Sequence, residues 1–121
     1  MVWRGVFAVA AFFNLAIGAA MMAAPDRVAA QLNVTGAGGP YAIVMAGMMI
    51  AVFGLGYAIV ARAPAANRGI VWIGVVGKLG AAALAAMQFS AGIIDVGGFA
   101  LGMTDLAFAA AFALFLWRGP R

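Results

Sequence analysis

Three polar side chains stand isolated inside long apolar stretches: Asn14, Lys78 and Asp105. A charge at the centre of a bilayer costs about 2.5–3.5 kcal/mol on the insertion scale. Two unpaired charges are therefore expensive, and one ammonium beside one carboxylate offsets the cost. A Lys78–Asp105 ion pair facing the interior of the protein is the expected arrangement. Asn14 is its expected third member, because a carboxamide can donate to Asp105 and accept from Lys78. Thr104, next in sequence to Asp105, either adds a hydroxyl to the set or bonds back to its own helix. Such a group has two uses. It can hold helices in register, which buried ion pairs do in some proteins. Or it can bind a proton, an ion or a polar headgroup, with Lys78 or Asp105 changing charge state. A proton-transfer chain is not expected, since no line of further carboxylates leads away from the pair.

That pairing requires equal depth, and the arginines measure depth. Asn14 lies ten residues after Arg4, Lys78 ten after Arg68, and Asp105 thirteen before Arg118. The helical rise converts these separations to roughly 15, 15 and 20 Å. A hydrocarbon core is about 30 Å thick, so all three groups sit near its middle.

The elements that must carry them are membrane-spanning helices. Four stretches have the required length of about 20 mostly apolar residues: residues 3–24, 41–61, 69–89 and 96–117. A transmembrane barrel needs shorter, alternating segments, and alternation is missing. Pro25 and the cluster Gly36, Gly38, Gly39 and Pro40 break the chain after the first span. Pro25 to Leu32 suits a short interfacial helix, with proline at its first position. Residues 62–68, with Pro64, form the second connection. A tight turn near Ser90–Val96, containing Asp95, forms the third. The first span exceeds the usual core of a cleaved signal peptide, so it is read as a helix that stays. The whole chain, residues 1–121, is expected to be a single transmembrane domain.

Composition agrees. Of 121 residues, 68% are hydrophobic and 8% charged, and mean hydropathy is +1.13. A soluble domain is about half apolar and about a quarter charged. The net charge of +4 comes from scattered basic residues, too few to form a phosphate-binding stripe, so nucleic acid is not an expected partner. Cysteine and histidine are absent, which removes thiolate and imidazole metal sites, disulfides and a histidine acid/base pair. Ser, Thr and Gln are sparse. The eight methionines read as flexible fillers of apolar gaps rather than copper ligands. Gly54-Leu-Gly56-Tyr57 lies in an uncharged apolar run with no strand before it, so it is not a nucleotide loop. No catalytic constellation emerges; no enzyme activity and no cofactor are expected.

Arginine placement predicts orientation. If the spans alternate, Arg4, Arg62, Arg68, Arg118 and Arg121 share one face and only Arg27 lies on the other. The first face is then cytoplasmic, with both termini on it. Trp3, Trp72 and Trp117 gather near the same face as an aromatic belt, and Tyr41 marks the opposite rim. The expectation is an all-α, four-helix bundle with up-down-up-down order in a bacterial inner membrane. Gly47 with Ala51, the run Gly74, Gly77 and Gly80, and Gly98, Gly102, Ala109 and Ala113 offer small-residue surfaces for close helix approach, within the bundle or in a homo-oligomer. Gln88, Ser90 and Asp95 are expected at the outer interface as solvated loop polarity.

Asn14 with Gly18 ahead of Pro25, Gly54-Leu-Gly56-Tyr57, Asn67-Arg68, Gly77-Lys78-Leu79 and Asp105-Leu106 together resemble small bacterial four-helix membrane proteins of DoxX-like layout. The resemblance covers nearly the whole chain through short motifs. It implies service to membrane redox complexes that use quinone, and no catalytic residue carries over. The function expected is non-catalytic binding of a lipid, a quinone or a partner subunit at Lys78, Asp105, Asn14 and Thr104. The alternative is a small transporter or channel in which Asp105 and Lys78 respond to a proton or ion. An apolar crevice at Lys78 favours the first; a water-accessible route to Asp105 favours the second.

Overall fold

The computed structural model describes all 121 residues as α-helices joined by short turns. Helix α1 spans Val2–Ala23, α2 Pro25–Gln31, α3 Gly39–Arg62, α4 Arg68–Ser90 and α5 Val96–Arg118, with a 3₁₀ turn at Ala65–Asn67. Four of them, α1, α3, α4 and α5, are long and apolar enough to cross a membrane. Each agrees with a span predicted from sequence to within two residues at either end.

The breaks have local causes. Pro25 cannot donate a backbone hydrogen bond, so it ends α1 and starts α2 at the position where that donor is not needed. Asn33 follows α2 with φ 56°, a left-handed conformation that Asn tolerates. Asp95 caps α5, its Oδ1 accepting from the Gly98 amide at 2.9 Å, which satisfies one of the open donors of a helix start.

The long helices associate as two pairs. Helix α1 packs along α3, and α4 along α5. Small residues set the first pair. A Cβ added to Gly18 would lie 2.5 Å from the Gly47 carbonyl oxygen and 2.9 Å from the Ala51 Cβ, so the two backbones touch only because glycine is there. In the second pair Gly102 leaves room for the Ala85 methyl. The other small residues divide: Gly74 lies beneath Tyr57 and Phe112, whereas nothing approaches the outer side of Gly80.

The pairs join at one end. The six largest fully buried side chains, Tyr57, Phe7, Phe112, Phe115, Val60 and Val71, all belong to one cluster drawn from the four long helices. Phe7 meets Phe112 at 4.9 Å and Phe115 at 5.1 Å between ring centres, and Tyr57 meets Phe112 at 5.0 Å. Arg68, at the start of α4, fastens this end. Its guanidinium donates to the carbonyls of Leu116 and Pro120 and lies over the Phe115 ring, where it complements the open carbonyls closing α5. At the other end the pairs diverge. One side-chain hydrogen bond links their turns, from Asn33 Nδ2 to the Ile93 carbonyl at 3.0 Å. Large apolar side chains such as Phe12, Val52, Trp72, Ile73 and Val76 cover the outside, each more than half exposed.

A buried dyad at the floor of an apolar cavity

Lys78 on α4 is buried, with 5% of its side chain exposed. Its Nζ donates to Asp105 Oδ1 on α5 at 2.6 Å and to Asn14 Oδ1 on α1 at 3.0 Å. Three rings surround the same ammonium: Phe108 at 5.0 Å, Tyr57 at 5.6 Å and Phe13 at 5.7 Å from Nζ to ring centre. The faces of these rings attract a cation. Lys78 thus exchanges its hydration for one carboxylate, one amide oxygen and an aromatic wall. The depth argument placed these three polar residues together, and the helices do bring them into contact.

Two details depart from the sequence-based expectation. Asn14 does not donate to Asp105. With its oxygen taken by Lys78, its amide nitrogen turns to α3 and donates to the Ile50 carbonyl at 3.3 Å, within reach because Gly18 and Gly54 let α1 lie against α3. Thr104 does not join the group either. Its hydroxyl bonds back to the Ala100 carbonyl at 3.1 Å, the local option open to a threonine within a helix, and it does not line the cavity described next. One residue's step along a helix turns a side chain by about 100°, which carries Thr104 off the line taken by Asp105.

Above the dyad the two helix pairs enclose a cavity of about 770 Å³, within the roughly 300–1,000 Å³ of small-molecule sites. Its floor holds Asn14, Lys78, Asp105 and Tyr57. Ile17, Met21, Met49, Ile50, Phe53 and Leu101 form apolar walls, and Val28 and Gln31 of α2 with Leu32 just after it close one side of the mouth opposite Asp95, the cap of α5, and Gly97 and Gly98. Gln31 and Asp95 are exposed there, so polarity returns only at the rim. Of the three residues expected at the outer interface, Asp95 borders the cavity, Gln88 does not, and Ser90 bonds to the Ala86 carbonyl.

No family model, curated protein or solved structure matches the chain. The site is therefore defined by its own geometry.

The dyad is electrically balanced, and its members are unequally covered. Lys78 donates to Asp105 and Asn14 and is crowded by three rings. Asp105 keeps 21% of its side chain exposed, and only its Oδ1 bonds to Lys78. No side-chain oxygen is both buried and unpaired, so the second oxygen of Asp105 is accessible, on a residue that lines the cavity. The aromatic members, Phe13, Tyr57 and Phe108, were not assigned to the site from sequence. Phe108 lies one turn from Asp105 on the same helical face, and that spacing was the available signal; Phe13, next to Asn14, carried none. Tyr57 had none, because its approach depends on how α3 meets α4 over Gly74.

Proposed function

We propose that this chain is a multi-pass protein of the bacterial inner membrane that binds a hydrophobic small molecule, a lipid or a quinone, between its two helix pairs and catalyses no reaction. In this reading the helices run up-down-up-down with both termini cytoplasmic. The five-to-one arginine distribution supports that orientation, as do the contacts gathering Trp3, Arg68 and Phe115 at one end. The aromatic cluster then seals the cytoplasmic half, and the cavity opens toward the opposite face. The observation that carries the proposal is an apolar cavity of ligand size ending on a balanced ion pair. A ligand there buries its tail against apolar walls and its polar end at the dyad. The DoxX-like resemblance points the same way, toward quinone. A partner subunit would instead use the exposed outer faces.

The test is extraction. Protein purified from its membrane in mild detergent is precipitated with organic solvent, and the released compounds are identified by mass spectrometry. Native protein is expected to carry a compound at near one per chain, and Ala81→Phe, which places a ring in the cavity, to lose it. Equal recovery from both would overturn the proposal.

The transporter reading has one observation in its favour: the cavity reaches Asp105 from one end. Against it stands the cluster that blocks the other end with fully buried rings. Reconstituted liposomes showing ion or proton flux that Asp105→Asn abolishes would establish it. Orientation is directly testable because the chain has no native cysteine: single cysteines at Ala65 and Gly36 should label from opposite sides of the membrane.

A further inference from the structure

The chemistry of the floor narrows the ligand beyond "hydrophobic", given that the cavity binds one. Its polar surface is lopsided. The ammonium of Lys78 donates to Asp105 and to Asn14, is crowded by the rings of Phe13, Tyr57 and Phe108, and is almost fully covered. The Asn14 amide is spent on Ile50. No strong donor is thus offered by the dyad. What remains is an acceptor, the second carboxylate oxygen of Asp105, on the one member of the dyad that keeps appreciable exposure. The Tyr57 hydroxyl, also at the floor, either accepts or donates. Neither a net positive nor a net negative charge is available to hold an ionic headgroup, and an ion brought there would lose its hydration without a counter-charge.

We infer that the site recognises an uncharged lipophilic alcohol or phenol, whose O–H donates to the free oxygen of Asp105 while its hydrocarbon lies toward the mouth. Asp105 and Asp95 are ten residues apart on one helix, so the cavity runs roughly 15 Å from floor to rim. The ligand's polar end points inward to mid-membrane and its apolar end toward the interface. This inverts the arrangement of a bilayer lipid. It also separates ligands by hydrogen-bond sense: a ketone, ether or ester of the same shape has no proton to give and leaves the carboxylate oxygen facing its own lone pairs.

The experiment compares pairs that differ only in that proton. Native protein in phosphatidylcholine nanodiscs is titrated with farnesol and with farnesyl methyl ether. A second titration, under anaerobic conditions, uses a short-chain quinol and its quinone. Binding is read by native mass spectrometry. The O–H member of a pair is expected to bind about tenfold tighter or more, the ratio that a hydrogen bond to a charged group supplies. The better-bound pair tells an aliphatic alcohol from a ring phenol. In Lys78→Met/Asp105→Leu, which removes both charges together and avoids a lone buried charge, the preference should fall to near unity while some binding persists. Equal affinity within both pairs in native protein overturns the donor inference and leaves the cavity reading intact. Binding of no probe, or binding that Ala81→Phe leaves unchanged, overturns both.

Discussion

The two ends of the bundle are built from the same kinds of residue and do opposite things with them. At the end fastened by Arg68, all four long helices contribute to one core, and Phe7, Tyr57, Phe112 and Phe115 fill it. At the end bordered by α2, the close helix contacts lie within each pair, Gly18 on Gly47 and Gly102 on Ala85, and the Asn33–Ile93 bond joins the turns. The difference is one of side-chain volume at the centre. Large rings bridge the gap between α1/α3 and α4/α5 and draw the pairs together. Toward the other end Ala20, Gly77, Ala81, Gly97 and Gly98 alternate with the larger wall residues, no ring spans from one pair to the other, and the gap persists as a cavity. In lipid, where apolar surface gains little by leaving its solvent, packing rather than hydrophobic drive joins helices. A gap that no side chain spans is not forced shut. The Lys78–Asp105 dyad lies at the boundary between the two regimes.

Breaking the dyad should have the largest effect, because it anchors the boundary. Asp105→Ala leaves a buried ammonium with only an amide and rings for company, and about 3–5 kcal/mol of stability should be lost, read by denaturant titration in detergent. Lys78→Met/Asp105→Leu should recover most of that loss or exceed native stability. A double variant as unstable as Asp105→Ala would show that the dyad holds the fold together in its own right.

Deleting a ring tests the asymmetry of the two ends. Phe112→Ala at the packed end is expected to cost about 3–5 kcal/mol. Met49→Ala, on a wall of the cavity and 58% exposed, should change stability by about 0.5 kcal/mol or less. Similar losses for both would mean that the open end is as tightly held as the closed one.

Adding a methyl tests the pairing at the open end. Gly18→Ala drives its Cβ to 2.5 Å from the Gly47 carbonyl oxygen, a steric clash, and an overpacking cost of about 1–3 kcal/mol is expected. Gly80→Ala, which meets nothing, is the matched control and should be neutral or slightly favourable.

The smallest change concerns the mouth. Asn33→Gly keeps the left-handed backbone and removes the exposed bond to Ile93, a surface change expected to stay within about 0.5 kcal/mol. Stability should hardly move, while amide hydrogen exchange in the turn 91–95 should quicken. Unchanged exchange would show that this bond does not restrain the mouth.

Much of this was legible in the residues. The span lengths followed from hydrocarbon thickness, the breaks from Pro25, Pro64 and the glycine cluster, and the Lys78–Asp105–Asn14 group from the cost of leaving charge unpaired at matched depth. Depth is a one-dimensional property, set by counting along a helix, and counting needs no partner. The rotation of each helix about its axis is another matter. It decided that Thr104 turns away, that Asn14 spends its amide on Ile50, that Tyr57 reaches Lys78, and that Arg68, read from sequence as a marker of orientation, also closes α5.

The amino-acid sequence by itself therefore determined how many helices could cross a bilayer, where each ends, and which polar groups lie level with one another. Only the tertiary structure decided that the helices join as two pairs, that the pairs close at one end and part at the other, and that a carboxylate with one unbonded oxygen lines the space between them. The physical reason is that local propensity and hydrocarbon thickness act along a single helix. The gap between helices depends on the summed volumes of side chains from four of them at once, and on which glycines allow two backbones to touch.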